Sequence, residues 1–183
     1  MFKLVCGAGN EDTESVKRLV YVYASAGCKL FDLSARKEIL DAAKFGAKNS
    51  RMKDIQFCVS VGIKGDKHIA KARIQKSKCM KCFECVKNCP SDAINSSIII
   101  DEKKCIGCGI CFQNCHANAI YMEEKDIDCK EILPYMVQNG VDFLELHIMG
   151  HDKADLAKKW QIINDCNPKF ASICILRRQQ LSG

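Results

Sequence analysis

Eight cysteines fall into two runs of identical spacing. The first reads CMKCFECVKNCP and holds Cys79, Cys82, Cys85 and Cys89, with Pro90 after the last. The second reads CIGCGICFQNCH and holds Cys105, Cys108, Cys111 and Cys115. Every cysteine of the first run recurs 26 positions later, and Ala93 and Ile94 recur as Ala119 and Ile120. This internal duplication predicts a pseudo-two-fold module. Thiolates at i, i+3 and i+6 can wrap three corners of an iron–sulfur cubane on one tight loop, and a fourth must arrive from elsewhere. Zinc is the competing reading, because Cys82-x-x-Cys85 and Cys105-x-x-Cys108 match a zinc-ribbon spacing. Zinc closes with four ligands, however. It leaves the third and fourth cysteines of both runs, and the Cys89-Pro90 pair, without a reason.

The full pattern is that of bacterial two-cluster ferredoxins, in which the fourth cysteine of each run serves the other cluster. It assigns Cys79, Cys82, Cys85 and Cys115 to one [4Fe–4S] cluster and Cys105, Cys108, Cys111 and Cys89 to a second. Gly107 and Gly109 let the backbone approach the sulfides without a Cβ. With a protein thiolate at every corner, no iron is left open for substrate. The expected chemistry is one-electron transfer or redox sensing, and no catalytic residue is singled out. The second run ends in Cys115-His116, where proline is usual. That is either a tolerated substitution or a titratable group beside a cluster that couples potential to pH.

The composition fits this reading. The chain has 183 residues, of which 48% are hydrophobic and 27% charged, as in a soluble domain with a real core. It shows no apolar run near the ~18 residues of a membrane span and no signal-peptide pattern. The expected location is the cytoplasm, where thiols stay reduced, so the 14 cysteines are not read as disulfides. An oxidised cubane on four thiolates carries about 2−, so two of them bring the formal charge from +6 to +2. Residues 64–87 hold Lys64, Lys67, Lys71, Arg73, Lys76, Lys78, Lys81 and Lys87 against Asp66 and Glu84. This is either a solvated face beside an anionic cluster or a docking patch for an acidic redox partner. Only Phe83 interleaves it, so nucleic acid is not the expected partner.

The flanking sequence must position the module. Residues 2–8 read as a buried strand, and Asp12 or Thr13 caps a helix that Gly27 ends. A strand at 29–34, a helix at 35–45 ended by Gly46, and an apolar strand at 55–63 follow. After the cysteine module come a helix at 129–138 with Pro134 in its first turn or at a kink, a strand at 142–148, a helix capped by Asp152, and a strand at 170–176. The β-α-β-α-β rhythm implies a parallel sheet. The expected fold is therefore α/β: a β/α scaffold of residues 1–63 and 127–183, with an inserted α+β ferredoxin-like domain at 64–126 after the third strand. A closed (β/α)₈ barrel takes about 250 residues. The scaffold has 120, so it is either an open sheet or a partial barrel, and the ending RRQQLSG suggests a truncated chain.

Loops after parallel strands collect ligand sites. Period-2 alternation puts Asp32 with Ser34, Cys58 with Ser60, and Glu145 with His147, and Arg177 and Arg178 follow the last strand. These residues either line a small-molecule or flavin pocket or end their strands in water, and for Glu145 and His147 solvation is the expectation. The pocket reading makes the protein an oxidoreductase fused to a ferredoxin, although Gly7-Ala8-Gly9 is no dinucleotide fingerprint. Cys6, Cys28, Cys58, Cys129, Cys166 and Cys174 have no ligand spacing and are expected to be small buried hydrophobes.

The segments KLVCGAGNEDTESVKRLVYVYASAGCKLFDLSA, CVSVGIKG and DFLELHIMGHDKADLAKKW, with the eight-cysteine module between them, resemble the light-dependent period (LdpA-like) family of iron–sulfur proteins. That family is linked to redox input to the cyanobacterial circadian clock. The resemblance implies the same eight ligands, a redox-sensing role and clock partners.

Overall fold

A computed structural model describes residues 2–7, 9–66, 70–125, 127–148 and 152–175. Five parallel strands form one sheet: β1 (Lys3–Val5), β2 (Leu30–Ser34), β3 (Gln56–Gly62), β6 (Phe143–Ile148) and β7 (Phe170–Ile175). Their spatial order is their chain order, and the sheet curls into half of a barrel wall. The connecting helices are α1 (Thr13–Ser25), α2 (Lys37–Asn49), α5 (Cys129–Gln138) and α6 (Lys153–Asp165). All four bury one stripe against the same sheet face. Val16, Val20, Ile39, Leu40, Leu133, Met136 and Ile163 share one core with Phe31, Leu33, Val59, Leu144 and Leu146. Asp12, Asp128 and Asp152 cap α1, α5 and α6 by accepting from first-turn amides.

Three expectations need correction. β1 is a three-residue edge strand, and Phe2 and Val5 are more than half exposed, so it is not buried. Gly46 does not end α2, which runs on to Asn49. A Cβ at Gly46 would overlap the Lys17 carbonyl of α1, so the glycine marks where two helix backbones cross closely. Pro134 lies past the first turn of α5. Leu176, Arg177 and Arg178 lie outside the described residues.

Between β3 and β6 the chain forms a second structure. β4 (Ala70–Ile74) and β5 (Ile120–Glu124) pair antiparallel, and the two short helices α3 (Glu84–Lys87) and α4 (Ile110–Gln113) touch. Ala72, Ala93, Ile94, Cys105, Cys111 and Ile120 make a separate small core.

The duplication is visible in the backbone of this segment. α4 repeats α3 at an offset of 26 residues. Lys81 and Phe83 adopt left-handed φ of 56° and 63°, and their counterparts Gly107 and Gly109 adopt 72° and 75°. Gln75 N–H donates to Ala119 O at 2.7 Å, and the equivalent Asp101 N–H donates to Ala93 O at 2.7 Å. The Ile74–Ile120 pair is likewise matched by the Ile94–Ile100 bridge.

Candidate metal centre and the polar sheet face

The left-handed residues turn each cysteine loop back on itself, so that its first three cysteines converge. One cavity is lined by Cys79, Cys82 and Cys85 and also by Cys115 from the other run. A second is lined by Cys105, Cys108 and Cys111 together with Cys89. Each is a small cavity of about 20 Å³ with largely apolar walls. The two fourth cysteines are held alike: Ala93 N–H donates to Cys89 Sγ and Ala119 N–H to Cys115 Sγ, both at 3.2 Å. Ala72 N–H approaches Cys105 Sγ at 3.5 Å.

This donor set fits a cation that takes soft thiolate ligands. Without one, the thiols oppose each other's ionisation. Burial, then the neighbouring Cys105 and Cys108, pushes the Cys111 thiol up to about 11. Burial, and beyond it Cys79 and Cys82, raises Cys85 in the same way. A bound metal inverts that balance and holds thiolates outright. His116 is exposed, directly after Cys115.

The basic stretch divides. Lys64, Lys76, Lys78, Lys81 and Lys87 are exposed, and Lys67 lies outside the described residues. Lys71 is no surface residue. It is 2% exposed, and its ammonium donates to Gly9 O and Cys105 O, both at 2.6 Å, with Glu11 at 3.5 Å. Arg73 is tied to Glu102 and Glu123.

On the sheet face away from the helices, period-2 alternation gathers Lys3, Asp32, Cys58, Ser60, Glu145, His147, Ser172 and Cys174. Ser60 Oγ donates to Asp32 Oδ1, and Lys3 Nζ bridges Asp32 at 3.3 Å and Glu145 at 2.7 Å. Ser172 Oγ donates to Glu145 at 2.9 Å, and His147 Nε2 lies 3.1 Å from Glu145 Oε1. Glu145 and His147 are therefore not solvated, contrary to the expectation from the sequence. His147 is 9% exposed. The His147 contact, with Lys3 and Ser172, holds the Glu145 carboxyl down to about 2. Burial raises Asp32 against the opposing pull of Ser60 and Lys3. Ser34 turns away and donates to Asn10 O.

Sequence reasoning missed Lys3, Ser172 and Cys174 as members of this group. Counting the period-2 phase of β1 and β7 would have found them. Cys6 is buried, and burial pushes its thiol up to about 12. Cys58 is buried and shifts the same way, whereas Cys166 and Cys174 are only half-buried. No helix among the described residues is long and apolar enough to cross a membrane.

Comparison with known proteins agrees with this picture. Residues 97–120 match the family model described as "4Fe-4S binding domain", so the chain binds at least one such cluster. Over 181 residues it is 29% identical to "Light dependent period A" of Synechococcus elongatus (strain ATCC 33912 / PCC 7942 / FACHB-805). The match covers 95% of this chain and 51% of that protein, so the chain spans about half the length of the curated relative it matches. From its first strand to its last, this iron–sulfur protein is similar to Light dependent period A, the resemblance its motifs carry.

Proposed function

We propose that residues 64–126 are a ferredoxin-like domain holding two [4Fe–4S] clusters. Cys79, Cys82, Cys85 and Cys115 bind one, and Cys105, Cys108, Cys111 and Cys89 bind the other. The observation that carries this is the make-up of the two cavities, each lined by three cysteines of one run and the fourth of the other. Such clusters, when bound, supply one-electron transfer. The protein's role is then to relay electrons or sense redox state without turning over a substrate of its own. The name of its relative points to a light-dependent period, which favours sensing over bulk electron carriage.

The partner is an acidic redox protein. Met80, 66% exposed, and Phe83 line the first cavity, among the exposed Lys76, Lys78, Lys81 and Lys87. An apolar centre ringed by ammonium groups steers and seats an acidic surface. The reducing cytoplasm suits eight free thiolates.

The test is anaerobic isolation, iron and sulfide quantification, and an EPR-monitored redox titration. About eight irons and eight sulfides per chain, with two reducible centres, are expected. About four irons would remove the second cluster. A colourless protein holding only zinc would remove both.

A further inference from the structure

The polar sheet face carries a donor set that the cysteine loops do not use. His147 and Cys174 are register partners on β6 and β7, and Glu145 stands two residues before His147 on the same face. Their ligand atoms all lie within 4.8 Å of one another. We propose that Glu145, His147 and Cys174 form a separate mononuclear site for a divalent ion of the zinc class.

The donors decide the ion. Imidazole and thiolate exclude calcium and magnesium, which take oxygen ligands. One nitrogen, one sulfur and one carboxylate oxygen suit zinc, and three protein ligands leave a coordination position open. The second carboxylate oxygen of Glu145 accepts from Ser172 at 2.9 Å, which fixes the carboxylate plane as outer partners of metal ligands do.

Charge also fits. Among the described residues, Lys3 is the ammonium that faces Asp32 and Glu145, and it sits 2.7 Å from the Glu145 oxygen that His147 also contacts. Lys3 belongs to the edge strand, and its side chain is 28% exposed. It can yield that oxygen to a metal while keeping its contact with Asp32 at 3.3 Å. Binding then releases the Cys174 thiol proton to solvent and leaves Lys3 paired with Asp32. With Cys174 as thiolate, the carboxylates of Asp32 and Glu145 and the buried Asp66, whose charge also acts on Cys174, outweigh Lys3, so the face favours a divalent cation.

The site stands independently of the cluster assignment, and the experiment keeps the two apart. The full chain, with its iron and sulfide complement verified, is titrated anaerobically with zinc against a chromophoric chelator. The bound zinc is then examined by X-ray absorption. One zinc per chain is expected, with one sulfur and the remaining neighbours nitrogen or oxygen. Cys174→Ser and Glu145→Gln should each lower affinity at least tenfold with iron and sulfide unchanged. Lys3→Met should raise it, because the competing ammonium is gone. Absence of zinc binding in both the wild type and Lys3→Met would overturn the site. So would zinc bound equally by Cys174→Ser, or a four-sulfur environment, which would put the ion in the cysteine loops.

Discussion

The buried ammonium of Lys71 donates to the backbone carbonyl of Cys105 at 2.6 Å, and so joins the scaffold to the second cysteine loop. The same nitrogen donates to Gly9 O in the loop after β1. Glu11 N–H donates to Lys103 O nearby. Burial lowers the Lys71 pKa, and Glu11 opposes that shift. Position 79 is the counterpart of Cys105 in the duplication, and no hydrogen bond from a buried lysine to Cys79 is found among the described residues. The two halves match in backbone but differ in charge.

Lys71→Met should therefore separate the two clusters electrically. A positive charge beside the Cys105 peptide favours the reduced, more negative cluster. At an effective dielectric near 20 its loss costs roughly 1–2 kcal/mol, or roughly 50–100 mV for one electron. The cluster at Cys89, Cys105, Cys108 and Cys111 should fall in potential by that amount, and the other should hardly move. An EPR-monitored titration of the variant checks this. Equal shifts in both centres, or none, would refute it.

The crossed assignment makes its own prediction. Replacing Cys79, Cys82 and Cys85 together with serine removes three ligands of one cluster. Cys115 should then become alkylable by iodoacetamide, while Cys89 stays protected by the cluster that remains. The sequential alternative, with Cys89 beside Cys79, Cys82 and Cys85, demands the reverse labelling. Peptide mass spectrometry after anaerobic alkylation distinguishes them.

What could be read from the chain depended on whether the signal was local. The cysteine spacing, the aspartate caps and the period-2 strands each involve a few neighbouring residues, and the parallel sheet and cysteine cavities follow from them. Gly46 was misread because its role depends on Lys17 of another helix. Lys71 looked like one more surface cation until its strand was paired with β5, which buries it between Ala70 and Ala72. Lys3, from the far end of the chain, reaches Glu145 only because β1 lies on the same curled sheet. The period-2 phase of β1 puts Lys3 on that face, but which partner it meets there depends on the order and curl of the strands, which spacing does not record.

Gly46→Ala tests the helix crossing. The added methyl meets the Lys17 carbonyl of α1, a backbone atom that cannot turn aside. Overpacking of this kind costs about 1–3 kcal/mol, and against a backbone atom it falls at the upper end, beyond the ~1 kcal/mol that alanine gains over glycine in an exposed helix. The melting temperature should fall with iron content unchanged, as read by circular dichroism and iron assay. A stabilised variant would mean that the helices do not approach so closely.

Acid should loosen the segment that holds the second run. Glu102 lies three residues before Cys105 and accepts from Arg73 on β4 and Lys125 just past β5. The Arg73 hydrogen bond, then that of Lys125, holds the Glu102 carboxyl down to about 2. A depressed carboxyl contributes stability above its unfolded pKa near 4.5, and loses it as pH falls from there toward 2. The side chain is 39% exposed, so solvent screening keeps the effect below about 1 kcal/mol. Glu102→Gln should thus melt lower than wild type at pH 7, and the gap should close between about pH 4.5 and pH 2. The comparison is read only down to the pH at which either protein begins to lose iron. A gap that persists unchanged at the acid end would show that Glu102 acts through packing rather than charge.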